Sequence, residues 1–348
     1  MATFQRLRNS SLLLLLCLQP GVAAAQLLAS APASCPLPQG MRQVPVPATN
    51  PPDHPLSSYH DLQYLSCDCL TNRAADPRAS TVFDQDQEHL DVASKAWVYA
   101  LMASNAYRDK GKVFVIPGWE LASRWESSSS LGLEEWTHKD GSGQTDEIAV
   151  AFEGTESLTD WRTNVNYLRE SPQFKEAFAY MQCLGRRAAG ARIVVTGHSL
   201  GGAIALNMSQ RLPNVNYFGF DSSPNSYFKV RGSSYVADRY LIYERGEVLM
   251  IPRIISLPRR NGVKRCGFDF MDFKNVLSTV SNHSMYLLAR GLLMTAIKNN
   301  DELARKAFAA NLSSQDLTKV FELKGTDTTE QKAAKAHDVA ACEKLFQP

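Results

Sequence analysis

Ala191-Arg192-Ile193-Val194-Val195-Thr196-Gly197-His198-Ser199-Leu200-Gly201-Gly202-Ala203 is the stretch on which the fold turns. Its first half is rich in β-branched residues and predicts a strand. Residues 203–212 are small and apolar and predict a helix, which Pro213 stops. Between the two lies a Gly-x-Ser-x-Gly motif. A serine on so sharp a strand-to-helix turn holds its hydroxyl clear of the backbone. The turn presses the residues two before and two after against each other, so only very small side chains fit at 197 and 201. Gly202 and Ala203 let the helix close on the strand. The helix start also aims N–H groups and the positive end of its dipole at the hydroxyl. The bland alternative is a structural tight turn. The strand before, the helix after and a further strand at 216–220 favour the nucleophile reading for Ser199. His198 points away from its neighbour on such a turn and reads as a packing residue.

Working outward, helical spacing of apolar residues predicts a helix over 92–107, and further helices over 173–187 and 284–297. Strands are predicted at 113–116, 131–136, 147–152, 191–196, 216–220 and 240–243, with a turn at 138–143 and a loop at 127–130. The run at 147–152 is nearly all apolar, the mark of a strand buried on both faces. Residues 301–346 read as polar helices. Strands alternating with helices predict an α/β fold, which the Gly-x-Ser-x-Gly elbow makes one of the α/β-hydrolase type. Its sheet is mostly parallel with helices on both faces, and a helical extension closes the chain.

The chain has 348 residues, 44% hydrophobic and 21% charged, a globular composition with room for a sizeable core. Residues 1–25 read as a cleaved secretory signal: Arg6 and Arg8, an apolar run at 12–18, a Pro20-Gly21 break, then Ala23 to Ala25. Cleavage after Ala31 is a nearby alternative. The run is too short for a permanent membrane anchor, and the residues around Cys17 do not suit lipidation. The expected location is secreted or periplasmic. Cleavage leaves 35 basic residues against 35 acidic ones, which gives no electrostatic reason to expect a nucleic-acid partner. Six cysteines remain: Cys35, Cys67, Cys69, Cys183, Cys266 and Cys342. In an exported chain they permit disulfides, with fifteen full pairings open. Cys67-Asp68-Cys69 has metal-ligand residue types but no partner pair at zinc-like spacing, so disulfides are the simpler reading. Residues 26–81 form a leader whose proline-rich part, 26–60, cannot make a helix or a central strand. The hydrolase domain is expected over 82–300 and the extension over 301–348.

From Gly201-Gly202 outward the chain resembles the class 3 (fungal-type) lipase family of α/β-hydrolases. The matching features run from about residue 92 to 290. They are Ala106-Tyr107 at a helix end, the strand end Phe152-Glu153-Gly154-Thr155, Asp160 to Asn164, and Gly197 to Gly202. A strand with Phe218-Gly219-Phe220, then Ser223-Pro224, and a later histidine complete the order. Glu153 departs from the pattern, since the family usually has arginine there.

The resemblance implies a Ser-acid-His chain order. His54, His60, His89 and His138 precede Ser199, and His337 lies in the terminal helices. His283, in a polar loop directly before an apolar helix, is left as the general base. The acid is expected beyond the second strand after the nucleophile helix. Glu247 is favoured, because the family has an aspartate before a short apolar stretch ending in proline, and Pro252 fits. Glu244 and Asp221 are alternatives, and Asp238 is a remote one. The oxyanion hole is expected from the N–H of Leu200, after the nucleophile, and from Thr155, the family's oxyanion position. Leu158, Trp161, Val165 and Leu168 lie where similar lipases carry a lid, or serve as ordinary core contacts.

With the elbow, the resemblance implies a serine hydrolase for lipid esters: triacylglycerol, monoacylglycerol or phospholipid, met in transient contact with a membrane surface. The chemistry needs neither metal nor organic cofactor. An acyltransferase, a thioesterase, a small-ester esterase or an inactive exported binding protein would use the same fold.

Overall fold

The computed structural model describes residues 38, 40–46, 86–107, 113–154, 171–188, 190–224, 237–249, 262–270, 283–311 and 329. Among the described residues eight strands form one sheet whose spatial order follows the sequence: β1 Arg42–Val44, β2 Trp119–Glu126, β3 Gly132–Lys139, β4 Thr145–Phe152, β5 Arg192–His198, β6 Val215–Phe220, β7 Arg239–Glu244 and β8 Lys264–Phe268. β1 to β4 pair antiparallel, and β4 to β8 pair parallel. The described helices are α1 Gln87–Asn105, α2 Pro172–Arg187, α3 Leu200–Arg211, α4 Met285–Lys298 and α5 Glu302–Ala310. This is the expected α/β architecture.

Strand periodicity sorts the core into two layers. Ala149 and Ala151 of β4, Phe218 and Phe220 of β6, and Tyr240 and Ile242 of β7 face α1, α4 and α5. Ile148, Val150 and Phe152, with Tyr217 and Leu241, face α2 and α3. Burying each large apolar side chain contributes about 1.5–3 kcal/mol. α1 starts where Asp86 accepts the His89 N–H at 3.0 Å. Alanines at 93, 96, 100 and 103 line its buried side, where α4 lies close along it.

Three strands differ from expectation. Residues 113–116 are irregular, and the strand starts beyond Pro117-Gly118, at Trp119. A register shift between Leu121 and Ser123 breaks the alternation of β2, which hid it in the sequence. β8 is short and opens on Lys264-Arg265, so no apolar run announces it. The proline-rich leader contributes β1, which pairs with β2 alone at the sheet margin. Prolines are tolerated beside such an edge strand. Of the expected terminal helices, α5 is described, and most of 312–348 lies outside the described residues, as do residues 1–37 and the proposed lid.

No described helix is long and apolar enough to cross a membrane.

Candidate active site

β5, β6 and β7 all end on the same edge of the sheet, and ligands of open α/β sheets gather at the carboxyl ends of strands. The tip of β5 is Ser199, with φ 53° and ψ −120°. Few non-glycine residues take that conformation. Its backbone is pinned on both sides: its N–H donates to the Phe220 carbonyl at 3.1 Å, and its carbonyl accepts from Ser223 at 2.9 Å. The glycines are required as the sequence implies. A Cβ on Gly197 would lie 2.5 Å from the Gly201 carbonyl carbon, and one on Gly201 would sit on the Phe152 carbonyl oxygen. One on Gly202 would strike the Ser222 hydroxyl. Leu200 is the first residue of α3, where helix geometry leaves N–H groups without an intrahelical acceptor. That is the arrangement an oxyanion hole uses.

His283 stands one residue before Ser284, the N-cap of α4. Its Nδ1 lies 3.0 Å from Glu247 Oε2, with both side chains buried. The same carboxylate oxygen accepts the Leu249 N–H at 2.7 Å, which fixes the carboxylate. A carboxylate on Nδ1 orients the ring and presents Nε2 as the working nitrogen. Nε2 of His283 is buried without a hydrogen-bond partner among the described residues. The ring packs 4.4 Å, centroid to centroid, from that of His198, next to the nucleophile position.

The alternative acids stand elsewhere or are engaged otherwise. Glu244 accepts the Phe270 N–H with both oxygens, at 2.9 and 3.1 Å, and so ties β7 to the end of β8. Asp238 precedes β7, at the opposite end of the sheet from the Ser199 edge. Asp221, fully buried with φ 41°, ends β6 and accepts the Glu244 N–H through Oδ1 at 3.0 Å. Asp221 is nevertheless close to the site: ligand atoms of His198, Asp221 and His283 all lie within 4.8 Å of one another.

Two sets of neighbouring contacts escaped the sequence reading. Tyr107 Oη lies 2.7 Å from His198 Nδ1, and a Cβ on Gly154 would strike that same hydroxyl. His198 is therefore held in a polar cluster as well as packed. Arg124 of β2 is buried, donating to Ala106 O at 3.0 Å, Glu134 at 3.1 Å and Glu153 at 3.0 Å. The glutamate that departs from the lipase pattern thus meets an arginine from the neighbouring hairpin. An arginine in mid-strand was the one available signal. Thr155, the expected second oxyanion donor, lies outside the described residues, as do Cys67-Asp68-Cys69, His54, His60 and His337. His89 pairs with Asp86 at 2.6 Å and His138 with Asp146 at 2.7 Å, both away from the elbow. Among the described residues Cys266 is a free, buried thiol, and burial pushes its pKa up to about 12.

Residues 98–214 match a phospholipase-like family, the Tle-like phospholipase domain. The match covers the elbow and stops before Glu247 and His283. It supports a phospholipase- or lipase-like relationship without singling out the class 3 lipases, and lipid ester hydrolysis at that coarse level. No curated protein matches the chain.

Proposed function

We propose that the protein is an exported serine carboxylic ester hydrolase acting on lipid esters, with phospholipid the favoured substrate. Ser199 attacks the ester carbonyl, His283 Nε2 takes the hydroxyl proton, and Glu247 holds the imidazole and steadies its positive charge. The N–H of Leu200, with Thr155, receives the negative charge that develops on the carbonyl oxygen. Protonated His283 then gives its proton to the leaving alcohol. A water activated by the same ring frees the fatty acid and regenerates Ser199.

The observation that carries this reading is the buried contact of 3.0 Å between His283 Nδ1 and Glu247 Oε2, at the sheet edge that carries a left-handed serine. The phospholipase-like match favours phospholipid over glycerides within the lipid-ester class. Export rests on the sequence of residues 1–25, and disulfides formed after export rest on the same reasoning.

The test is product analysis by mass spectrometry on mixed lipids, comparing wild type with Ser199→Ala. Fatty acid and lysophospholipid that appear only with wild type support a phospholipase. Fatty acid from glycerides alone moves the substrate to neutral lipid. Equal activity in both proteins refutes the mechanism.

A further inference from the structure

Beside the proposed base stands a second donor set. His198 and Asp221 lie with His283 so that one ligand atom from each falls within 4.8 Å of the other two. All three residues are at least nine-tenths buried. The proposed acyl transfer uses only one of them.

We propose that His198, Asp221 and His283 form a divalent transition-metal site that suits zinc, and that metal bound there switches the hydrolase off. The proposal rests on His283 being the general base. Two imidazoles and one carboxylate are a donor set zinc takes readily, with the fourth position left to water.

Outer contacts already orient the ligands. A zinc-binding histidine usually gives its second nitrogen to a carboxylate or another polar group. Glu247 occupies Nδ1 of His283 at 3.0 Å, and Nε2 is buried with no hydrogen-bond partner among the described residues. Tyr107 engages Nδ1 of His198 at 2.7 Å, so coordination through Nε2 keeps that contact. Asp221 holds the Glu244 N–H through Oδ1, so coordination through Oδ2 keeps that one. Two carboxylates, Asp221 directly and Glu247 through the ring, balance a charge of two.

Bonds of ~2.0–2.2 Å around a tetrahedral ion place ligand atoms about 3.4 Å apart. From separations of at most 4.8 Å, each pair reaches that by closing up to about 1.4 Å. The ion then occupies the nitrogen that must accept the serine proton, and transfer to Ser199 stops.

The experiment titrates the full-length wild-type protein with ZnCl2 against a chromophoric chelator, and in parallel follows hydrolysis of a soluble ester. One tight equivalent per chain is expected, with hydrolysis falling towards zero as it fills and returning with EDTA. Asp221→Asn and His198→Gln are each expected to weaken binding about 10-fold or more. CoCl2 on the unmodified protein is expected to give the visible absorption of a tetrahedral site, which covers the case of a variant that does not fold. The proposal is overturned by no tight equivalent, by an equivalent that neither variant weakens, or by activity unchanged or raised at saturation. Binding is read without catalysis. A protein that binds zinc here yet hydrolyses no ester refutes the hydrolase reading and the switch with it, and leaves the metal site standing.

Discussion

The two halves of the sheet handle buried charge in opposite ways. In the parallel half, β5 to β7 are apolar along most of their length, and buried charge keeps to the strand ends: Arg239 and Glu244 are the end residues of β7, and Asp221, Glu247 and His283 lie just beyond strand ends or at a helix start. In the antiparallel half, charge sits within the strands: Arg124 of β2 bonds Glu134 of β3 and Glu153 just past β4. Beside them Glu135 of β3 meets Arg187 and the Tyr180 hydroxyl of α2. Burial, then the Glu135 charge and hydrogen bond, raise the Tyr180 phenol well above its usual range. Mid-strand charges with matched partners tie neighbouring segments together. Charges gathered at strand ends, with the His283 Nε2 lacking a hydrogen-bond partner among the described residues, suit the proposed reaction.

Substitutions separate the two roles. Within this comparison the largest effect is expected from Glu247→Gln, which keeps the shape and removes the charge behind His283. Ester hydrolysis is expected to fall by about 10⁴-fold, judging from comparable triads, while the thermal midpoint stays near wild type. A large loss of stability instead would make the strand-end charges structural and erase the contrast.

Arg124→Met attacks the other half. Removing one member of a buried ion cluster strands its partners and costs about 3–5 kcal/mol. The denaturant midpoint is expected to drop accordingly, with activity per folded molecule largely kept. Unchanged stability would show that the mid-strand charges do not hold the hairpin.

Cys266, near the far edge of the parallel half, gives the smallest effect. With its pKa pushed up to about 12 by burial, the thiol is expected to resist alkylation in the native protein at neutral pH and to react on unfolding. Fast native labelling would show that this edge opens readily.

What the sequence could reveal follows the range of the forces involved. The elbow was legible because its constraint is local: Gly197, Gly201 and Gly202 answer clashes within a few residues of Ser199. β4 to β7 were legible because burial on both faces writes continuous apolar runs. Glu247 was legible only to within a few positions, since spacing along a loop does not say which carboxylate turns inward; its 3.0 Å approach to His283 does. The contacts of Tyr107 with His198, 91 positions apart, and of Arg124 with Glu153, 29 apart, leave no periodic trace. β2 was lost because a bulge resets its alternation, and β1 because three residues between prolines make too short a pattern. The role of Thr155 rests on family resemblance alone.

The backbone of Ser199, at φ 53°, has a consequence of its own. Glycine takes that geometry freely, whereas a side chain there costs of order 1–3 kcal/mol. The chain carries the residue that serves the turn worse and the proposed reaction better. Ser199→Gly is therefore expected to melt higher while hydrolysing nothing, so that at this one position the toughest molecule and the working molecule are different molecules.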